Sequence, residues 1–96
     1  MQDKIGSTII QKLKKNLNII FLELKDESSL HTGHNKSAML GNTHYYLLIV
    51  AREFHGTRLL TRHRTINEIL KEEIKLIHAM KVKAYNQVEF ASVYNK

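Results

Sequence analysis

The chain has no cysteine. That single absence removes disulfides, thiolate nucleophiles, thiolate metal sites and thiol redox motifs. At 96 residues the chain is also short for burying a large core, and it lacks a covalent staple to compensate, so modest stability is expected. No stretch approaches about 18 consecutive apolar residues, so none is expected to span a membrane. Residues 1–15 carry Asp3 and dispersed lysines. They lack the apolar run and small-residue cleavage site of a secretory leader, and a cytoplasmic location is expected. Also missing are a Gly-x-Ser-x-Gly elbow and a glycine loop able to cradle phosphates. Glu72 and Glu73 are neighbours that point to different faces of a helix and read as a solvated edge. With no constellation for catalysis, the chain is expected to bind partners and not to be an enzyme.

What is present fits one domain spanning residues 1–96. Hydrophobic residues make up 43% and charged residues 25% of the chain, ordinary values for a globular core with a solvated shell. Fifteen Lys and Arg against nine Asp and Glu leave a formal charge of +6. Such a surplus permits an anionic partner without choosing among nucleic acid, lipid headgroup and acidic protein surface. Six histidines are many for this length, and their positions matter more than their number.

Periodicity sets out the elements. Ile5, Ile9, Ile10, Leu13 and Leu17 recur at helical spacing on one face. Residues 19–26 alternate as a strand, with Ile20, Leu22 and Leu24 on one side and Glu23 and Lys25 on the other. Residues 28–42 show no period, and a stretch of about fifteen such residues in a compact domain is commonly functional or disordered. Residues 44–52 are the strongest strand signal. Their apolar residues on both faces suggest a central strand or one covered on both sides. Phe54-His55-Gly56 reads as a turn, with Thr57 or Thr61 as candidate helix caps. Ile66, Ile69, Leu70 and Ile74 then give a helical stripe running to about Lys75. Outside it, Glu68 and Glu72 are placed to pair with Lys71 and Lys75. In residues 77–85, Met80, Val82 and Ala84 face one way and Lys81, Lys83 and Tyr85 the other. Asn86 can cap a final short helix. The helical crossover suggests that the second and third strands pair in parallel. The reading is an α+β domain of order αββααβα: a small three-stranded sheet with helices on one face.

Phe54-x-Gly56, Arg62-His63-Arg64, Asn67, Glu72-Glu73-Ile74 and Ile77-His78-Ala79, with Gly33-His34 and Thr43-His44 upstream, resemble the BolA family in sequence and spacing. The resemblance covers about residues 22–90. His55 stands where that family usually has an acidic residue, and Phe90 where it has a closing Trp. The resemblance implies a fold similar to the class II KH-like fold. It also implies two activities: pairing with a monothiol glutaredoxin to share a [2Fe-2S] cluster in iron–sulfur trafficking or iron sensing, and DNA-binding transcription regulation.

Thiolate is the usual donor to such a cluster, and a chain without it can offer only imidazole, as where two His bind one iron. By resemblance, glutaredoxin and glutathione thiols hold the other iron, with no cluster held tightly by the isolated protein. The resemblance points to His78 and His34 as metal ligands, with His31 as an alternative to His34. His44 is read as structural. Because ligation needs neutral imidazole, cluster binding is expected to weaken as pH falls through about 6.5.

The alternative partner is double-stranded DNA, engaged through Arg58, Arg62, His63, Arg64, Asn67, Lys71, Lys81 and Lys83. For Arg62, His63 and Arg64 two readings stay open: contact with phosphate or glutathione, or packing of the helix entry with bonds to nearby carbonyls. Gly56-Thr57-Arg58-Leu59 lacks the second glycine of the loop that KH domains use on single strands. No membrane partner is expected, and alone the protein is expected to be a monomer or weak homodimer.

Overall fold

The computed structural model describes residues 4–28 and 44–94. Helix α1 spans Lys4–Asn16, strand β1 Ile19–Asp26 and strand β2 His44–Ala51. A 3-10 turn, Arg52–Phe54, leads to helix α2, Leu59–Ile69, and helix α3, Lys71–Ile74. Strand β3, Ala79–Tyr85, and helix α4, Gln87–Tyr94, complete the chain. The order matches the expected one.

The sheet order is β1-β2-β3. β1 runs antiparallel to β2, and β3, reached through the α2–α3 crossover, runs parallel to it. The apolar β2 is therefore the central strand, which explains its double-sided pattern. Register sorts the side chains into rows. Leu24–Leu47–Val82 and Leu22–Ile49–Ala84 lie on one face. There they join Ile9, Leu13 and Leu17 of and just after α1, Phe54, and Ile66 and Leu70 from the crossover to form the core. A register shift between Ile19 and Phe21 leaves Ile20 exposed, although simple alternation groups it with Leu22 and Leu24.

The other face carries Lys25–Tyr46–Lys81, Glu23–Leu48–Lys83 and Phe21–Val50–Tyr85. Helices α1 to α3 lie against the core face. Helix α4 adds cover to the second face, where Phe90 stacks on Phe21 with ring centres 5.1 Å apart. Val50 and Leu48 are accordingly buried on that side too.

Local chemistry departs from expectation at three places. Neither Thr57 nor Thr61 caps α2. The cap position is Arg58, with no side-chain cap bond, and the Thr57 hydroxyl donates to the Phe54 carbonyl at 2.9 Å. The helical stripe breaks at Leu70, whose φ of −103° and ψ of 18° turn α3 toward α1. That turn buries Glu73, which was expected on a solvated edge, and Lys12 Nζ meets its carboxylate at 2.8 Å. Gly56 takes a φ of +75°, a left-handed conformation that glycine adopts at little cost. The surface pairs Lys71–Glu68 and Lys75–Glu72 form at 3.4 and 3.8 Å.

Candidate functional site

Two parallel strands begin at the same end of a sheet. In this fold that places the histidine opening β2 beside the one preceding β3. His44 is in register with Ala79, the residue after His78. The two imidazoles lie with ring centres 4.8 Å apart, inclined at 44°. The His44 backbone is fixed by its neighbours. Its carbonyl accepts from Glu27 N–H at 2.7 Å, and its N–H donates to Ser28 Oγ at 3.2 Å. Asp26 in turn accepts from the Ser28 N–H at 2.9 Å. His78 is solvent-exposed and follows the turn closing α3, where Leu76 N–H donates to the Glu73 carbonyl at 2.9 Å.

Imidazole nitrogens bind metals at about 2 Å, so two rings with centres 4.8 Å apart are spaced to approach one ion together. Among the described residues no group of three or more His, Asp or Glu could hold a metal. Two imidazoles alone are fewer than the ligands a metal site needs. His31 and His34 lie outside the described residues, in the chain between Ser28 and His44. His44 was read from sequence as structural. Its place beside His78 follows from the parallel pairing, which brings the first residue of β2 to the start of β3.

The basic candidates divide. Arg62 is buried, 4% exposed. Its Nε donates to the Thr57 carbonyl at 3.0 Å, and Nη1 donates to the Ala84 carbonyl at 3.0 Å and to Glu89 at 2.6 Å. This geometry matches the reading in which Arg62 packs the helix entry and bonds carbonyls. It does not present Arg62 to an external phosphate. The Arg62 hydrogen bond, with the Asn86 backbone N–H, holds the Glu89 carboxyl below its ordinary value. Arg58, Arg64, Asn67 and Lys71 are exposed on α2 and α3, and His63 is half-buried. Lys81 and Lys83 are exposed on the sheet face away from α1 and α2. The eight nucleic-acid or partner-binding candidates therefore do not form one surface.

A three-stranded mixed sheet with helices on both faces and a histidine pair at one end defines a small α+β domain. The chain belongs to the BolA-like protein family, whose model matches residues 13–89. It is 37% identical over 89 residues to SufE-like protein 1, chloroplastic/mitochondrial, of Arabidopsis thaliana, covering 88% of this chain and 24% of that protein. It is 34% identical over 80 residues to Protein BOLA1, chloroplastic, of the same plant, covering 80% of this chain and 50% of that one. The chain thus spans about a quarter and a half of these two relatives. With the DNA-binding transcriptional regulator BolA of Escherichia coli K12 it shares 33% identity over 87 residues, covering 90% and 79% of the two chains. The solved BolA domain of SufE1 from Arabidopsis thaliana superposes with a TM-score of 0.79 at 37% identity, covering 93% of this chain and 99% of that one.

Proposed function

We propose that this protein is a non-catalytic adaptor that shares a [2Fe-2S] cluster with a monothiol glutaredoxin, in iron–sulfur cluster trafficking or iron sensing. The observation that carries this reading is the His44–His78 pair, 4.8 Å between ring centres, in a chain with no cysteine. Clusters in which two His bind one iron give the precedent for such a donor set. The partner's cysteine and glutathione would supply the thiolates for the other iron. His78 is one ligand. His44 is the second by proximity, and His34 or His31 is the second by family resemblance.

The test is anaerobic assembly with a monothiol glutaredoxin, glutathione, iron and sulfide, followed by visible absorbance and circular dichroism. The wild type should change the glutaredoxin cluster spectrum, and His78→Ala should not. His44→Ala abolishing the change would assign the second ligand to His44; its loss with His34→Ala instead would assign it to that residue. No spectral change with the wild type would contradict the proposal.

A second reading, DNA binding, is supported by the similarity to the DNA-binding transcriptional regulator BolA of Escherichia coli. It also draws on the exposed Arg64 and Asn67, three residues apart on α2. Phosphate contacts make affinity steeply salt-dependent. On this reading Arg64→Ala should weaken duplex binding and reduce its salt slope. Unchanged affinity and slope would count against it.

A further inference from the structure

The open face of the sheet holds most of the chain's aromatic surface. Five of its seven Phe and Tyr residues, namely Phe21, Tyr46, Tyr85, Phe90 and Tyr94, gather there, while the core is built mostly from aliphatic side chains. Docking of α4 accounts for part of this cluster. Phe90 stacks on Phe21 at 5.1 Å and lies 6.4 Å from Tyr85. Tyr94 packs on Phe90 at 4.7 Å and edge-on to Tyr85 at 6.4 Å yet stays 49% exposed, and Tyr46 lines the floor of a trough.

That trough, about 420 Å³, runs between β1 and α4; Tyr46, Leu48, Phe21, Phe90 and Tyr94 line it together with the charged Lys25, Glu23 and Glu27. Register puts a lysine on each side of Tyr46, Lys25 from β1 and Lys81 from β3, and sets Lys83 beside Leu48. The Lys25 ammonium lies 5.9 Å from the Tyr46 ring centre. Among the described residues neither Lys81 nor Lys83 enters an ion pair, whereas Glu23, the acidic residue within these rows, is met by Lys25 at 3.7 Å. Burial, followed by the neighbouring Tyr94, Tyr85, Glu23 and Glu27, pushes the Tyr46 phenol above its ordinary value.

We propose that this face binds single-stranded nucleic acid, with bases stacked on Tyr46 and Tyr94 and the backbone tracked by Lys25, Lys81 and Lys83. Flat rings beside lysines, of which Lys81 and Lys83 enter no ion pair among the described residues, match a ligand that alternates π-faces with phosphates. A duplex hides its base faces and offers only its phosphates to such a surface. The site lies on the opposite side of the sheet from Arg64 and Asn67 and does not rest on the histidine pair.

The experiment titrates the full chain into fluorescein-labelled oligo(dT) and oligo(U) of about eight nucleotides at low and high salt. The chain has no tryptophan, so tyrosine fluorescence reports stacking directly. The expected result is salt-sensitive binding with tyrosine quenching, at least tenfold tighter for the single strand than for a duplex of equal length. Lys81→Glu with Lys83→Glu should weaken it more than tenfold, and Tyr46→Ala by roughly fivefold or more, the loss of one stacked base. Lys14→Glu with Lys15→Glu, an equal charge change on α1, should have a much smaller effect. Three results would overturn the proposal: no binding at low salt, equal or tighter binding of the duplex, or equal losses in the two lysine double variants. Melting curves of each variant separate lost binding from lost fold.

Discussion

Arg62 shows how burial redirects a residue that looks functional. In sequence it belongs to a basic tripeptide at a helix start, and a phosphate contact and a structural contact are equally natural there. In the fold its guanidinium ties together the Thr57 carbonyl, the end of β3 and Glu89. Arg62→Ala would leave the Ala84 carbonyl without its partner, and hydrogen bonds to charged groups contribute about 1.5–3 kcal/mol each. The expected outcome is a loss of about 2–3 kcal/mol, read as a lower urea midpoint. An unchanged midpoint would contradict this role. Glu89 gives the network a pH signature. Its folded-state pKa lies below the ordinary 4.5, so its contribution is present above that value and is lost as pH falls through the folded value. Glu89→Gln should flatten the decline in stability below about pH 4.5, measured by denaturant titration at several pH values, and an unaltered acid limb would argue against it. Glu73 was misread for a related reason. Sequence spacing places it on the helix surface, but the bend at Leu70 turns that surface against Lys12.

At the level of elements, periodicity was enough wherever one face of a segment is buried. Strand β1 begins and ends where alternation predicted, and the double-sided apolar run of β2 marked the central strand. Helix α4 was legible by another route. Asn86 Oδ1 accepts from Glu89 N–H at 2.9 Å, and the Glu89 carboxylate accepts from Asn86 N–H at 2.8 Å, a reciprocal cap with a short-range sequence cause. Asn86→Ala should destabilise the protein by about 1 kcal/mol and loosen α4 from Phe21, seen as faster amide exchange over residues 87–94. Protection equal to wild type would show that ring stacking alone holds the helix. The bulge exposing Ile20 and the break at Leu70 left no local signal, because tertiary packing creates both. The uncapped start of α2 escaped prediction because Thr57 directs its hydroxyl backward to Phe54.

Topology governs the candidate site at the scale of the whole molecule. His44 and His78 are far apart in the chain and meet because β2 and β3 start at the same end of the sheet. The sequence made the elements and His78 legible, but the placing of His44 beside it needed the strand register. The fold sorts the cations onto two opposite surfaces, so the proposed cluster sharing and the two proposed modes of nucleic acid binding would call on different residues and can be separated by mutation. The histidine account has a further consequence. Imidazole must be neutral to bind metal, so cluster retention by the mixed complex should fall as pH drops through about 6.5. Retention unchanged down to about pH 5 would argue against imidazole ligation.

The most direct test of the central claim is pulsed electron paramagnetic resonance on the reduced cluster of the glutaredoxin complex, with this chain labelled at histidine with ¹⁵N. The account predicts two ¹⁵N couplings from this chain, both absent with His78→Ala, which does not join the cluster. A reduced cluster without ¹⁵N coupling to this chain would contradict it.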